Sequence, residues 1–336
     1  MSELDSRPTA LLVMEERRRG DVYPPTVVQG LAELVRWRAP ALTRERLAQD
    51  PDVLKEVEIL LTGWGAPVLD ADLLSHAPRL RAVLVAAGSV RATTTPAFWA
   101  RGIPIVSAAA ANAIPVAEFA LAQILLALKQ AHRISREIRQ TRRYPDDPPV
   151  AGGFRSRVGL YGLGAIGRLV AAHLRRFDLE VLACDPVADP AVADELGVRL
   201  VTLPDLFDGC SVVSLHAPLL PETEGLVNGE LISRLAQGGS LINTARGALV
   251  DEHSAVDVLR RRPDLTAVLD VTWPEPPQPD SPLFTLPNVV LTGHVAGAMG
   301  GERARMGELV LDELRRLVNG QPLRHAVPAD RAHVLA

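Results

Sequence analysis

The segment from Arg157 to Asp185 constrains the fold more than any other part of the sequence. Its parts are, in order, the apolar run Val158–Tyr161, the pattern Gly162-x-Gly164-x-x-Gly167, the amphipathic stretch Arg168–Phe177 and the strand-like run Glu180–Cys184, which ends in Asp185. Strand, glycine turn, helix, strand and acid in this order predict the first βαβ unit of a dinucleotide-binding sheet. The glycines let the backbone approach a pyrophosphate, and the helix N-terminus offers it unpaired N–H groups.

Asp185 indicates which dinucleotide binds. It lies 18 residues after Gly167, where an acid accepts hydrogen bonds from the ribose hydroxyls of an adenosine. Its carboxylate would repel a 2′-phosphate, and the following residues, Pro186-Val187-Ala188, include no arginine to receive one. We therefore predict NAD rather than NADP. The alternative, a glycine turn that binds no ligand, is disfavoured by the correctly placed strands, helix and acid.

Composition limits the classes of function that remain open. The 336 residues suffice for two domains, and the hydrophobic content of 47% and charged content of 23% are typical of a globular protein. A net charge of −4 argues against a nucleic-acid partner. The two cysteines, Cys184 and Cys210, have no metal-ligand spacing. We therefore expect a cytoplasmic protein without a metal site.

The sequence predicts neither a signal peptide nor a membrane-spanning segment. The first residues, Met1–Asp5, are polar and acidic, so no signal peptide is expected. The most apolar region, residues 103–128, contains Asn112, Pro115 and Glu118. We interpret this region as protein core rather than as a membrane span.

The first third of the chain alternates between predicted strands and helices. The strands are Thr9–Met14, Val57–Leu61, Leu80–Val85 and Ile103–Val106, and the helices are Val27–Trp37 and Asp70–His76. This alternation predicts a parallel sheet, which binds ligands beyond the carboxyl ends of its strands. Four residues in loops at those ends are candidates for substrate binding: Trp64, Ala87, Gly88 and Ser89. Loops that need glycine only for their shape are the alternative.

Ionisable residues follow the strands of the remaining chain. A long helix is predicted over Val116–Gln140, after the small-residue stretch Ala108–Ala113, and a final helix over Glu302–Asn319. Between them we predict the strands Ser211–His216, Ser240–Thr244, Thr266–Val271 and Val289–Thr292. Arg246, Glu275 and His294 each follow one of these strands. Because parallel strands end at one edge of a sheet, we expect the three side chains to converge there.

Several segments together resemble the D-isomer-specific 2-hydroxyacid dehydrogenase family. They are V-A-E (116–118), G-L-G-A-I-G (162–167), H-A-P-L-L-P-E-T-E-G-L (216–226), I-N-T-A-R-G-A-L-V-D-E (242–252), L-D-V-T-W-P-E-P (269–276) and G-H-V-A-G (293–297). The resemblance covers most of residues 112–297, and residues 1–111 match only in outline. The interval of 29 residues between Arg246 and Glu275 is one that the family commonly shows.

The resemblance implies a role for each matched residue. The catalytic set would be Arg246, which holds the substrate carboxylate or its C2 oxygen, His294, the general acid and base, and Glu275, which orients the histidine. Glu252 and Glu302 are alternatives for the role of Glu275. The implied cofactor contacts are Gly162, Gly164, Ala165, Ile166, Gly167, Asp185, His216, Pro218, Thr223, Thr244, Ala245, Arg246, Asp270 and His294.

Two positions depart from the family pattern. Gly293 stands where a proline usually precedes the histidine, and Arg91 stands where an acid usually ends the substrate loop. Because this loop contacts the substrate, the identity of the substrate stays open. Trp64, Arg91 and Trp273 are candidates for pocket walls, and core packing is the alternative for both tryptophans.

We therefore predict an α/β protein of two domains. Residues 113–297 would form an NAD-binding Rossmann domain with a doubly wound parallel sheet, and residues 1–112 with 298–336 a discontinuous, flavodoxin-like substrate-binding domain. The active site is expected between them. The family resemblance also implies a homodimer and an NAD-dependent reductase of a small 2-keto acid such as glyoxylate or hydroxypyruvate. Phosphite or 3-phosphoglycerate dehydrogenase is the alternative within the class, and an NAD-sensing, corepressor-like binding protein is the alternative outside it.

Overall fold

The computed structural model describes residues 6–332. The chain divides into two compact units, of which the first combines Met1–Asn112 with Ala298–Ala336 and the second is Ala113–Gly297.

Twelve strands are present in residues 6–332. They are β1 (Thr9–Val13), β2 (Arg36–Trp37), β3 (Ile59–Thr62), β4 (Ala82–Val85), β5 (Ile105–Ser107), β6 (Arg157–Tyr161), β7 (Glu180–Cys184), β8 (Arg199–Leu200), β9 (Val212–Leu215), β10 (Ser240–Asn243), β11 (Thr266–Leu269) and β12 (Val289–Leu291).

Thirteen α-helices accompany them in the same residues. They are α1 (Glu16–Val22), α2 (Pro25–Leu34), α3 (Arg44–Gln49), α4 (Ala71–Ser75), α5 (Pro96–Ala100), α6 (Ala109–Leu128), α7 (Ala131–Thr141), α8 (Ala165–Leu174), α9 (Pro190–Glu195), α10 (Leu203–Phe207), α11 (Gly229–Ser233), α12 (Glu252–Arg261) and α13 (Ala304–Val318). Asp70, the first residue of the predicted helix Asp70–His76, caps α4, since its side chain accepts the Leu73 amide at 2.9 Å.

The first unit contains a parallel five-stranded sheet. Its strand order is β2-β1-β3-β4-β5, the flavodoxin-like order. The strands β1, β3, β4 and β5 are buried along their whole length, as expected for apolar strands covered on both faces. The predicted helix Val27–Trp37 is wrong at its C-terminal end. Val35 is extended, and Arg36 and Trp37 pair in parallel with Thr9 and Ala10 as an edge strand.

The second unit contains a parallel seven-stranded sheet in the order β12-β11-β10-β9-β6-β7-β8. This is the Rossmann arrangement with one added strand, and both of its halves start from the central β6 and β9. Apolar clusters cover both faces of the sheet. The carboxyl ends of β6, β9, β10, β11 and β12 therefore lie along one edge of the sheet. The candidate site residues follow these strands and so lie at the same edge.

The predicted helix Val116–Gln140 is two helices. Helix α6 begins at Ala109, so the small-residue stretch is helical, and the chain breaks at Gln130, whose φ of 47° interrupts the helix before α7. Helix α6 is long and apolar enough to cross a membrane by length and composition. Its side chains at Ala117, Ala120 and Ile124 are fully buried in the second unit, however, which agrees with its interpretation as core.

Candidate active site

The glycine turn between β6 and α8 has the geometry of a phosphate-binding turn. Gly162 has a φ of 98°, and a Cβ there would lie 2.6 Å from the Ala217 nitrogen. A Cβ on Gly167 would lie 2.1 Å from the Gly162 oxygen. A Cβ on Gly164, in contrast, would meet no protein atom within 4 Å. Gly162 and Gly167 are therefore required by the fold, whereas Gly164 leaves open space beside the N-terminus of α8, where a pyrophosphate fits.

Asp185 is tied to this turn. Its Oδ2 accepts the backbone amide of Leu163 at 2.7 Å, and its Oδ1 accepts the amide of Val187 at 3.0 Å. The carboxylate is partly exposed. It therefore fixes the start of the turn and still offers lone pairs to the hydroxyls of a ribose.

His294 and Glu275 form a hydrogen-bonded pair. The His294 Nδ1 lies 2.6 Å from the Glu275 Oε1, and both side chains are about half exposed. The other two acids considered for this role lie elsewhere. Glu302 accepts the Met299 amide, and Glu252 accepts the Ser281 hydroxyl. Glu275 is thus the acid that pairs with the histidine, which leaves the His294 Nε2 to face a reacting group.

Asp270 holds the backbone on both sides of this histidine. Its backbone oxygen accepts the His294 amide at 2.6 Å, and its buried carboxylate accepts the amides of Val295 at 2.8 Å and Ala296 at 3.0 Å. The Thr292 hydroxyl donates to the same carboxylate at 2.6 Å. The cofactor contact that the resemblance implies for Asp270 stays a prediction, and the structure shows that its side chain binds the loop that carries His294.

The backbone conformation explains why glycine precedes the histidine. Gly293 has a φ of 74° and His294 a φ of 61°, so two consecutive residues are left-handed. Proline fixes φ near −65° and cannot occupy this conformation. The backbone conformation of this chain at residue 293 therefore accepts glycine and excludes proline.

Arg246 sits in a short loop after β10 that neighbouring residues hold tightly. The fully buried Asn243 donates to the Arg246 oxygen at 2.8 Å and accepts the Ala245 amide at 3.0 Å. The Arg246 guanidinium, which is partly buried, donates to the Ala245 oxygen at 2.6 Å. A Cβ on Gly247 would lie 2.0 Å from the Thr272 carbonyl carbon, so the loop after β10 packs directly on the loop after β11. The two loops that carry Arg246 and Glu275 are therefore in contact.

Two predicted cofactor contacts are buried polar side chains. His216 follows β9, and neither of its ring nitrogens has a hydrogen-bond partner among residues 6–332. Burial lowers the pKa of its imidazole to about 4, so the ring is neutral at pH 7. The Thr244 hydroxyl after β10 is likewise buried and without a partner in the described part of the chain. These groups lie at the sheet edge beside the glycine turn.

The other predicted cofactor residues are distributed around the same edge. Thr223 is occupied locally, since its hydroxyl donates to the Pro218 oxygen at 2.7 Å and accepts the Leu220 amide at 2.8 Å. It therefore shapes the turn that exposes Pro218. Ala165 and Ile166 form the first turn of α8, and Ala245 is buried.

In the first unit, Trp64 follows β3 and is held by two arginines. The guanidinium carbons of Arg18 and Arg303 lie 5.2 Å and 5.7 Å from the centre of its ring. Each arginine is neutralised by an acid at 2.7 Å, Arg18 by Glu15 and Arg303 by Asp21. Trp64 is thus held in place and partly exposed at the carboxyl end of the sheet, and it also packs against the apolar core of the first unit. Its role as a pocket wall stays a prediction.

The loop after β4 lies at the same edge of the first unit. The Ser107 hydroxyl donates to the backbone oxygens of Ala87 at 3.1 Å and Gly88 at 3.0 Å. Ser89 accepts the Arg91 amide at 3.3 Å, and the Arg91 side chain is exposed. The hydrogen bonds from Ser107 therefore hold the backbone of this loop in place.

Sequence reasoning missed several residues that shape the site. Asn243 and the backbone contacts of Asp270 gave no recognisable signal, because each of these side chains acts on the backbone of a loop. A signal existed for Gly247 alone, since glycine after a strand-end arginine indicates a close backbone approach. Among residues 6–332, no group of three or more His, Cys, Asp and Glu side chains is placed to hold a metal ion.

Comparison with known proteins agrees with this geometry. Residues 121–296 match the family model described as "D-isomer specific 2-hydroxyacid dehydrogenase, NAD binding domain". The chain is 35% identical over 296 residues to a D-3-phosphoglycerate dehydrogenase of Mycobacterium leprae, an alignment that covers 88% of this chain and 55% of that protein. The chain thus spans just over half the length of that relative.

A relative of more similar length is a glyoxylate reductase of Korarchaeum cryptofilum. It is 30% identical over 272 residues, which cover 80% of this chain and 82% of the relative. The crystal structure of a glyoxylate reductase from Paecilomyes thermophila superposes with a TM-score of 0.77 at 24% identity, covering 97% of this chain and 99% of that one, and it supports the fold. NAD is the cofactor of the matched domain. On the family model, the identities and the fold together, the chain belongs to the D-isomer-specific 2-hydroxyacid dehydrogenase family.

Proposed function

We propose that this protein is an NAD-dependent dehydrogenase that interconverts a small 2-keto acid and its D-2-hydroxy acid. The observation that carries the proposal is the contact of 2.6 Å between His294 and Glu275 at the sheet edge where Arg246 and the glycine turn also lie. A histidine oriented by a carboxylate is a general acid and base, and an adjacent arginine recognises a carboxylate.

Each residue of this set has a defined task in reduction. Arg246 holds the substrate carboxylate or C2 oxygen with its planar donors. NADH, held by the glycine turn and Asp185, would supply the hydride that reduces C2. His294 gives the proton from Nε2 to the C2 oxygen as that oxygen gains negative charge. Glu275 accepts a hydrogen bond from Nδ1–H and stabilises the charged ring. In oxidation, His294 takes that proton back.

Residues 162–187 fit the cofactor. The open space at Gly164 and the N-terminus of α8 suit a pyrophosphate, and Asp185 suits an unmodified ribose. His216, Pro218, Thr244 and Ala245 would line the path from the adenosine to the nicotinamide. We expect NAD to bind more tightly than NADP, because Asp185 repels a 2′-phosphate.

The substrate class is the least constrained part of the proposal. We favour glyoxylate or hydroxypyruvate, since both arginines on Trp64 already pair with an acid, Arg18 with Glu15 and Arg303 with Asp21. 3-Phosphoglycerate is the second candidate, supported by the identity of 35% with a dehydrogenase named for it. Arg91, which is exposed beside Ser89, would then receive the phosphate.

We also propose a cytoplasmic homodimer. The apolar side chains of Ile114 and Leu126 on α6 are exposed, and exposed apolar side chains of this kind suit contact with a second copy of the chain. Cys184 and Cys210 are both free thiols, which fits a reducing compartment. Light scattering coupled to size-exclusion chromatography tests the dimer, and a monomeric mass would contradict it.

The test of the activity is NADH oxidation at 340 nm with a series of 2-keto acids, and NAD reduction with 3-phosphoglycerate and phosphite. We expect turnover that disappears in His294→Ala. NADH binding without turnover of any substrate would instead support an NAD-sensing protein.

A further inference from the structure

The first residue of α12, Glu252, carries a carboxylate that the proposed chemistry does not use. It is partly buried and lines a small cavity of about 20 Å³ together with Asn243, Gly247 and Thr272. Burial raises the pKa of the carboxyl, and hydrogen bonds from Ser281 and from the backbone of Trp273 partly offset that rise. The partial burial of Glu252 and its hydrogen bonds indicate that this carboxylate has a structural role.

The two groups that face Glu252 lie at opposite ends of one loop. Trp273 stands at the beginning of the loop that follows β11, and Ser281 stands at its end, where its hydroxyl lies 3.4 Å from the Glu252 Oε1. Ser281 is buried and also accepts the Leu283 amide at 3.3 Å. Glu275 lies between these ends. A single carboxylate therefore joins both ends of the loop that carries the partner of His294.

The beginning of this loop has no freedom to adapt. Thr272 packs on Gly247 so closely that no Cβ fits between them, and the Thr272 hydroxyl donates to the Pro274 oxygen at 2.8 Å. If the end at Ser281 is released, the displacement must therefore be taken up between Pro274 and Ser281. Glu275 is the functional side chain in that interval.

We propose that Glu252 is a positioning residue, which holds the loop of residues 272–281 so that Glu275 meets His294. The proposal rests on the proposed dehydrogenase function, because it explains how the general acid and base is oriented. The plainer explanation is that Glu252 only places negative charge at a helix N-terminus. Glu230 provides the matched control, since it lies in the first turn of α11 and pairs at 3.1 Å with Arg234.

The first test reads the His294 environment without any substrate. In the full chain labelled with ¹³C at histidine Cε1, the His294 signal is identified among those of the eight histidines by its loss in His294→Ala. We expect Glu252→Ala to move this signal in the same direction as Glu275→Ala, and Glu230→Ala to leave it in place. Glu252→Gln should keep the wild-type position, because an amide oxygen still accepts both hydrogen bonds. An unmoved signal in Glu252→Ala would overturn the proposal.

The second test uses turnover of a 2-keto acid that the wild type reduces. We expect Glu252→Ala to lower kcat by about 10-fold to about 100-fold, as small displacements of catalytic groups do, with the Kd for NADH unchanged. In a Glu275→Ala background, Glu252→Ala should lower kcat no further, since a positioning residue acts through the group that it positions. Independent effects in the double variant would contradict the proposal.

Ser281→Ala provides a second variant in case Glu252→Ala folds poorly. It removes one of the two contacts, and we expect a smaller displacement of the His294 signal in the same direction. Absence of turnover in the wild type would count against the dehydrogenase function alone, because the histidine signal still reports on Glu252.

Discussion

Asp270 accepts the backbone amide of Val295 at 2.8 Å, immediately after the histidine that the loop presents. With the amide of Ala296 and the hydroxyl of Thr292, this buried carboxylate receives three hydrogen bonds. It is therefore the internal anchor of the His294 loop.

Asp270→Asn should destabilise the protein and impair catalysis together. The amide group presents N–H donors to a site made of N–H donors, so at least one hydrogen bond to a charged group is lost, at a cost of about 2 kcal/mol. Urea denaturation measures the loss, and kcat should fall because His294 is no longer fixed. Thr292→Ala, which removes one donor and no acceptor, is the milder control. Wild-type stability in Asp270→Asn would show that the loop does not depend on this carboxylate.

The three glycines of the turn should respond differently to alanine. Gly162→Ala and Gly167→Ala place a Cβ within 2.6 Å and 2.1 Å of backbone atoms, so we expect a lower melting temperature. Gly164→Ala meets no protein atom and should fold normally, yet bind NADH more weakly, because the methyl group enters the space of the pyrophosphate. Thermal unfolding and fluorescence titration with NADH separate the two effects. Equal NADH affinity in Gly164→Ala and the wild type would contradict the assigned phosphate site.

Removal of either partner in the His294–Glu275 pair should affect chemistry more than binding. We expect His294→Ala to lower kcat by about 100-fold to about 10,000-fold, the range for loss of a general acid. Glu275→Gln keeps a hydrogen-bonding group but removes the charge that stabilises the protonated ring, so its loss should be smaller. Stopped-flow reduction of a 2-keto acid gives the rates, and NADH binding serves as the control. A larger loss in Glu275→Gln than in His294→Ala would reverse the assigned roles.

His216 should make stability depend on pH. Burial lowers the pKa of its imidazole to about 4, whereas histidine in an unfolded chain titrates near pH 6.5. Between these values only the unfolded chain binds the proton, so stability falls as the pH falls, by about 1.4 kcal/mol per pH unit.

Urea denaturation at pH 6.5 and pH 5.0 tests this dependence. The wild type should lose about 2 kcal/mol more than His216→Asn over this interval, because asparagine does not titrate. The same pH dependence in both proteins would mean that His216 is protonated in the folded chain.

The parts of the site that sequence predicts best are those whose chemistry lies in the side chain itself. The glycine spacing, the acid at 185 and the strand-end positions of Arg246, Glu275 and His294 follow from period and position. The strand order of both sheets also agrees with the predicted fold classes. These features recur because strand, turn and helix must alternate in a parallel sheet.

The missed features depend on contacts that are distant in sequence. Arg36 and Trp37 continue a helical pattern, yet pairing with Thr9 and Ala10 makes them a strand. Gln130 gives no local sign of ending a helix. Asp270 binds the backbone amides of Val295 and Ala296, which lie 25 and 26 residues away, and Glu252 binds the backbone of Trp273 as well as the Ser281 hydroxyl, which lies 29 residues away. Backbone amides carry no sequence identity. When a side chain binds the main chain, the sequence contains no partner residue type that would reveal the contact.

The two consecutive left-handed residues, Gly293 and His294, limit which substitutions the loop accepts at residue 293. Proline at residue 293 requires a φ near −65°, and Gly293 stands at 74° with His294 at 61° behind it. A single mutation to proline would therefore displace the histidine before any compensating change could restore it. Residue 293 can therefore become proline only if the backbone of residues 293 and 294 leaves the left-handed region as well.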